Sequence, residues 1–403
     1  MKFIDLFCGI GGFHIALEKA GHECVLACDI DKDCRLIYKK NFNMTPLGDI
    51  NDIKIKDIPD FDILCAGFPC QPFSHAGTQK GFEESRGTLF FNICKILKKK
   101  SPSYFILENV KNLYTHNKGK TWNIIYNSLI DLGYKTYKKP IIANPLHFGI
   151  PQNRDRVFII GIKKDIGKLP KYPIYKKVKT DINDIIQSND ELKDIIDKIS
   201  LNKKDISVLK LWNDFILYFK NKLDKLPGFP LWSSEWNEND DNIDDLPEWK
   251  QKIIKKNKEF YQEHQKFINE WLETANENKN FTGSKTKLEW QCAKFEKDDS
   301  IWTLLFQFRP SGIRMKRSLY SPALVAMNQI VYIGSKKRKL SPREVARLQS
   351  YPDSYIINEN MNKAYKQFGN SVNIKVVSKI LKHLMDSELY ENKVIIEFDD
   401  EKN

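Results

Sequence analysis

Pro69-Cys70-Gln71-Pro72 sets a thiol between two prolines, just beyond the short apolar run Asp62-Ile63-Leu64-Cys65. Proline rings limit the backbone, so the sulfur is aimed rather than left to sample many directions. Two further runs carry residue types that can work with a thiol. Glu108-Asn109-Val110 puts a carboxyl group at the end of another apolar run, 103–107. Gln152-Asn153-Arg154-Asp155-Arg156 carries two arginines at spacing two, which point to one side of an extended segment. A cysteine and a glutamate at neighbouring strand ends can act as nucleophile and proton donor. Two guanidinium groups beside them form a fork for a carbonyl or a phosphate.

The elements that must hold these residues alternate through the first 165 residues. Strands are expected at 2–7, 23–28, 61–65, 103–107 and 156–161. Helices are expected at 13–20 (closed by Gly21), 32–41, 88–99 and 122–132. Near-continuous apolar strands alternating with helices predict an α/β fold: a doubly wound, mostly parallel sheet covered on both faces. Ligands of such sheets bind outside the carboxyl ends of the strands, where Cys70 and Glu108 are expected. The first turn, Phe7-Cys8-Gly9-Ile10-Gly11-Gly12, lets the backbone approach a ligand at a helix start. His14 stands where the dinucleotide fingerprint has its last glycine, so a pyrophosphate fits poorly. Asp29, with Asp31 nearby, ends the second strand and is placed to hold ribose hydroxyls. Ribose without a pyrophosphate grip points to a nucleoside cofactor such as S-adenosylmethionine.

The chain has 403 residues, 41% of them hydrophobic, which supports a packed core. No apolar run nears the roughly 20 residues needed to span a bilayer, and the N-terminus lacks a signal-peptide pattern. Seven of eight cysteines precede Lys95, which is not a secreted disulfide framework, so a reducing cytoplasm is expected. Cys24, Cys28 and Cys34 lack metal-ligand spacing, and no metal is expected. The formal net charge is +13. Residues 301–350 hold ten Lys or Arg against one acid, Glu344, and suggest a polyanionic partner.

Strand-helix rhythm stops near residue 165. The next stretch is rich in Lys, Asn, Asp and Trp. It includes one long helix candidate, 249–275, with Trp249, Ile253, Phe260, His264, Phe267 and Trp271 on one face as the core of the insert. Order returns with Ser341-Pro342-Arg343-Glu344, a capping-box helix start, and with a helix at 374–385 after Gly369-Asn370-Ser371-Val372. A discontinuous first domain is expected, 1–165 plus 336–395, holding a second one, 166–335.

Phe7-x-Gly9-x-Gly11, Gly67-Phe68-Pro69-Cys70-Gln71, Glu108-Asn109-Val110, Gln152-x-Arg154-x-Arg156 and Gly369-Asn370-Ser371-Val372 follow one another in the order and approximate spacing of the DNA (cytosine-5)-methyltransferases. The segment Arg343-Glu344-x-Ala346-Arg347-Leu348-Gln349 with Tyr351-Pro352-Asp353 resembles another motif of that family. The resemblance is to the bacterial restriction-modification type and covers roughly 1–165 and 335–390. It implies transfer of a methyl group from S-adenosyl-L-methionine to carbon 5 of a cytosine flipped out of double-stranded DNA. It implies Cys70 as the covalent nucleophile and Glu108 as the partner of the base's N3. Arg156 would meet the base's O2, and Arg154 would support the same pocket.

For the cofactor, the resemblance implies Phe7, Gly9 and Gly11 around the methionine part, Asp29 at the ribose and Ile30 on the adenine. It puts Asp49 and Ile50 beside the adenine and Asn370 at the closure of the pocket. Residues 166–335 occupy the place of the family's target-recognition domain. Gln71, Ser74, Arg309, Arg314, Lys316 and Arg317 are the expected DNA contacts. A monomer without an N-terminal regulatory region is expected, beside a possible cognate restriction endonuclease. Two other readings are a tRNA cytosine-5 methyltransferase and a catalytically silent DNA-binding protein. The tRNA relatives carry Cys-Phe-Thr late in the chain, where this one has Cys292-Ala293-Lys294. Intact Cys70, Glu108 and Arg156 argue against the silent reading.

Overall fold

The computed structural model describes residues 1–69, 89–237, 243–324 and 329–386. Cys70, Gln71 and Ser74 lie outside the described residues. The chain folds as two compact units, one of Met1–Lys179 and the chain from Ala346 onward, the other Thr180–Val345. The sequence places the divisions earlier, at 165/166 and 335/336. Residues 166–179 stay with the first unit because Tyr137 Oη donates to the Pro170 carbonyl (2.7 Å) and the Val178 N–H donates to the Leu146 carbonyl (3.0 Å). Residues 336–345 stay with the second because Glu344 pairs with Arg338 and accepts the Gln187 N–H.

The first unit begins β1 (Lys2–Leu6), α1 (Gly12–Glu18), β2 (Glu23–Cys28), α2 (Lys32–Phe42), β3 (Ile63–Gly67), α3 (Leu89–Lys100), β4 (Tyr104–Val110), α4 (Lys120–Asp131), β5 (Tyr134–Thr136), β6 (Ile141–Ala143) and β7 (Arg156–Lys163). Among the described residues its sheet has seven strands in the order β2-β1-β3-β4-β7-β5, with β6 also on β7. The first four are parallel. They read as apolar runs because helices cover them: Ile4, Leu6, Leu64 and Leu107 pack under Phe90, Ile93 and Ile125.

The strand at 156–163 differs from a parallel reading. It runs antiparallel to β4, β5 and β6. The return from β4 is a helix followed by two short strands instead of a single helical crossover, so the chain enters β7 from the edge where β4 ends. Val110 is therefore opposite Arg156.

The second unit has α5 (Lys203–Lys220), β8 (Leu231–Trp232), α6 (Glu248–Glu263), α7 (Gln265–Glu277), β9 (Lys287–Trp290), β10 (Leu305–Arg309), β11 (Gly312–Lys316), β12 (Tyr332–Ile333) and β13 (Arg338–Lys339). Its sheet order is β13-β12-β10-β11-β9-β8. The long helix expected over 249–275 is two helices. They break at His264 (φ −128°), whose ring packs edge-on against Phe219 and Phe260. Trp249 leaves the expected apolar face and is 61% exposed, whereas Phe260, Ile268 and Trp271 are buried with Trp212 and Phe215. Trp232, Trp236 and Trp290 are core residues too, and Trp302 is half-buried.

The chain returns through α8 (Pro342–Leu348), α9 (Met361–Asn370) and α10 (Ile374–Met385). The expected capping box forms: the Ser341 N–H donates to Glu344 Oε2 (2.8 Å) and the Glu344 N–H to Ser341 Oγ (3.1 Å). The C-terminal segment closes onto the first turn. Tyr355 Oη donates to the Ile10 carbonyl (2.6 Å), and a Cβ on Gly12 would stand 2.6 Å from Val372 Cγ2. Gly12 is thus glycine because residue 372 lies against it. Gly12→Ala is expected to cost about 1–3 kcal/mol through overpacking, read as a lower urea midpoint with an unchanged m-value.

Candidate active site

Glu108 stands beside Gly67 in the β3–β4 register, at the carboxyl edge of the sheet. Asn109 Nδ2 donates to the Phe68 carbonyl (2.8 Å), which fixes the backbone two residues before Cys70. Glu108 is 8% exposed, and Arg156 Nε lies 3.0 Å from its Oε1. Burial pushes the Glu108 pKa up, and the guanidinium groups of Arg156 and Arg154 pull part of it back. The result is a carboxyl group that holds its proton to higher pH than an ordinary glutamate. Antiparallel entry of β7 is what puts Arg156 there.

The lead-in to β7 is held rigidly. Asn144 Nδ2 donates to Asn153 Oδ1 and to Asp155 Oδ1, both at 2.8 Å, and Lys111 Nζ reaches Asp155 Oδ2 at 2.9 Å. Arg154, expected to support the base pocket, directs two guanidinium nitrogens to backbone carbonyls. It is 3% exposed, and its Nη1 and Nη2 donate to the carbonyls of Gly369 (2.9 Å) and Ser371 (3.1 Å). Those carbonyls flank Asn370, so Arg154 fixes the segment expected to close the cofactor pocket.

The first turn supplies the other half of the site. Phe7 (φ 56°), Gly9 (φ 52°) and Gly11 (φ 81°) all adopt left-handed backbone. For Phe7 this costs of order 1–3 kcal/mol, a strain that recurs at functional sites. Gly11 caps α1, and a Cβ there would run into the Phe42 ring. Asp29 Oδ2 accepts the Gly9 N–H (2.7 Å) and Oδ1 the Asp31 N–H (2.8 Å). Burial raises the Asp29 pKa, and these two N–H groups lower it. Ile30, next in the chain, is 71% exposed. Asp49 and Ile50 lie in the adjoining segment, tied to β2 by the Asp29 N–H to the Leu47 carbonyl and the Leu47 N–H to the Ala27 carbonyl. Asn370 is exposed.

The amino-acid sequence matches a family model described as C-5 cytosine-specific DNA methylase over residues 1–386. The chain belongs to that family. The Type II methyltransferase M.HhaI of Haemophilus parahaemolyticus is 33% identical to it over 94% of this chain and 93% of that protein. M.AluI of Cellulosimicrobium cellulans is 32% identical over 94% and 91%. Among solved structures, the S. pombe Dnmt2 methyltransferase has the same fold, with a TM-score of 0.53 at 18% identity, covering 97% of this chain and 99% of that one. The protein is a DNA (cytosine-5-)-methyltransferase of the restriction-modification type.

The cations expected to contact DNA in this methyltransferase are not the unmatched charges their sequence neighbourhood suggests. Glu289 on β9 lies beside Arg314 on β11, with Arg314 Nε 2.7 Å and Arg309 Nη1 3.5 Å from its Oε2. Arg317 reaches Asp299 (Nη2–Oδ2, 3.0 Å) and Glu296 (Nε–Oε1, 3.1 Å). Lys316 lies over the Tyr320 ring. Arg338 pairs with Glu344, and Arg347 with Asp353. Glu289, Glu296, Asp299 and Asp353 lie outside 301–350, so a charge count over that stretch sees only Glu344.

Three positioning residues escaped the sequence reading. Asn109 and Val372 lie inside recognised motifs yet act through long-range contacts, and Asn144-Pro145 signals only a local turn start, not the contacts to Asn153 and Asp155. Arg154→Met leaves two buried carbonyls without their donor, each costing about 1–3 kcal/mol. It is expected to lower the urea unfolding free energy by about 2–4 kcal/mol, whereas Arg154→Lys recovers part of the loss.

Proposed function

We propose that this methyltransferase moves a methyl group to carbon 5 of a cytosine flipped out of duplex DNA, with Cys70 as covalent nucleophile. The observation that carries the reading is the buried Glu108–Arg156 pair at 3.0 Å, one strand from the backbone leading to Cys70. Carbon 5 of cytosine is too weak a nucleophile unaided. The Cys70 thiolate adds to carbon 6, which moves electron density to carbon 5. Glu108 donates its proton towards N3 and relieves the charge developing on the ring. Arg156 holds the base at O2 while orienting Glu108. After transfer a water molecule takes the carbon 5 proton, the C5–H electron pair re-forms the C5–C6 double bond as the sulfur–carbon 6 bond breaks, Cys70 leaves as thiolate and N3 returns its proton to Glu108.

The residues of the first turn fit S-adenosyl-L-methionine. A Cβ on Gly9 would meet nothing within 4 Å, Ile30 offers an exposed apolar face, and Asp29 presents an oriented carboxylate. When bound, it supplies an electrophilic methyl group that carbon 5 takes. Phe7, Gly9 and Gly11 would surround its methionine part, Asp29 its ribose, Ile30, Asp49 and Ile50 its adenine, with Asn370 closing the pocket.

The unit Thr180–Val345 reads the target sequence in this proposal, with Arg309, Arg314, Lys316 and Arg317, and Gln71 and Ser74 from the first unit, as DNA contacts. Carboxylate-paired arginines present a fixed fork, which suits a guanine edge better than a mobile one. The enzyme works as a cytoplasmic monomer. A restriction endonuclease of the same site is its cellular counterpart, a reading supported by its Type II relatives.

A base-resolution cytosine map from a methylation-free bacterial host tests the nucleophile. The wild-type chain is expected to mark one short recurring motif and Cys70→Ser none; methylation by the serine variant excludes Cys70. The pH profile tests Glu108. Its raised pKa keeps the acid form present to higher pH, so kcat/KM should fall as pH rises through that value. Glu108→Gln should lower the rate by roughly 10²–10⁴ and remove that limb. A limb that survives in Glu108→Gln belongs to another group.

A further inference from the structure

Three strand ends meet beside Glu108. β4 and β6 both run antiparallel to β7, and Val110 and Ala143 each stand opposite Arg156. One residue beyond that pairing, Lys111 and Asn144 converge on Asp155. Lys111 Nζ donates to its Oδ2 (2.9 Å) and Asn144 Nδ2 to its Oδ1 (2.8 Å). Each carboxylate oxygen thus takes a donor from a different strand end, although arginines flank Asp155 in sequence. Burial raises the Asp155 pKa, but the hydrogen bonds from Asn144 and Lys111, with the charges of Lys111 and Lys177, take it below the ordinary value. Asp155 is therefore an anion, and its contact with Lys111 is an ion pair.

The clamped residue bears directly on Arg156. Arg156 Nη1 donates to the Asp155 carbonyl (2.9 Å), and Arg156 Nε lies 3.0 Å from Glu108 Oε1. The guanidinium is thus held at two edges, one by the Asp155 peptide and one by Glu108. Residues 154 and 155 belong to no strand. Their place is set by side-chain contacts: Arg154 on the carbonyls of Gly369 and Ser371, Asp155 on Lys111 and Asn144. Releasing Asp155 frees the peptide that aims Arg156.

The charges that act on Glu108 are those of Arg156 and Arg154, both from this lead-in. Gly67 of β3, Phe13 of α1 and Val372 gather about the same point and carry no charge. Burial raises the Glu108 pKa, and Arg156 is the stronger of the two charges that lower it. The position of Arg156 therefore decides how much of the burial effect survives.

We propose that Asp155, clamped between Lys111 and Asn144, is a positioning residue that aims Arg156 at Glu108, a role that rests on the reading of both as partners of the target cytosine. Without the clamp Arg156 drifts from Glu108 Oε1, and Glu108 keeps its proton to still higher pH. The base loses its fixed partner at O2 at the same time. A misplacement of about 1 Å can cost roughly 10²-fold in rate. Asp155→Ala separates aim from bare charge. Removing a nearby anion would by itself lower the Glu108 pKa, whereas loosening Arg156 raises it.

The test titrates Glu108 directly in the full chain, by carbon-13 NMR of glutamate labelled at its carboxyl carbon. The Glu108 signal is identified by its loss in Glu108→Gln. Its midpoint should rise in Asp155→Ala and in Lys111→Met and stay at the wild-type value in Lys111→Arg. Lys111 is exposed, so Lys111→Met should keep the urea midpoint near wild type and remains readable if Asp155→Ala unfolds. The double variant should move the Glu108 midpoint no further than Asp155→Ala does, because both changes break one clamp. Methylation of a target duplex should lose up to about 10²-fold in kcat/KM in Asp155→Ala. A Glu108 midpoint that stays or falls in Asp155→Ala, one that stays in Lys111→Met, or single effects that add in the double variant overturns the proposal. A raised midpoint beside full methylation by Glu108→Gln keeps the clamp and removes only the acid role of Glu108.

Discussion

The guanidinium of Arg154 holds the two halves of the site together. Buried donors must find acceptors, and this one finds the carbonyls of Gly369 and Ser371, more than 200 residues along the chain. Its own segment is fixed by Asn144 and Lys111, so the C-terminal loop is fastened to the lead-in of β7. The same loop lays Val372 against Gly12 and Gly67. One planar fork thereby sets the distance between the first turn, the Glu108 edge and Asn370.

Direction of a single strand decides the chemistry at that edge. A parallel strand at 156–163 would start at the opposite side of the sheet from the end of β4. Running antiparallel, it begins opposite Val110 and delivers Arg156 to Glu108. A carboxyl group buried to 8% exposure is disfavoured as an anion, and the two arginines offset only part of that cost. The balance suits the proton-donating role proposed for Glu108. The first turn shows a related use of constraint: left-handed backbone at Phe7, Gly9 and Gly11 is held by the Asp29 carboxylate and by the Tyr355 hydroxyl on Ile10.

Four arginines of the second unit are paired with its own carboxylates. Glu289, Asp299 and Glu296 orient Arg309, Arg314 and Arg317, and Glu344 holds Arg338. In the first unit, six of the seven lysines of 163–179 are exposed along a backbone that Lys135 and Tyr137 hold.

Much of this was written in local pattern. Strands 2–6, 23–28 and 104–110, the helix Ile374–Met385 and the Ser341–Glu344 capping box follow from apolar runs and cap residues, because neighbours in sequence decide them. The order of short motifs, from Phe7-x-Gly9 to Gly369-Asn370-Ser371-Val372, pointed to the family that the comparison confirms. What local pattern cannot carry is pairing between distant segments. The break at His264 and the exposure of Trp249 depend on what α5 presents to them. The reversal of β7, the use of Arg154 on Gly369 and Ser371, and the matching of Arg314 by Glu289 depend on which strands become neighbours. The sequence by itself determined which groups could react. Tertiary structure decided which of them face each other, because charge and hydrogen-bond matching act through space and not along the chain.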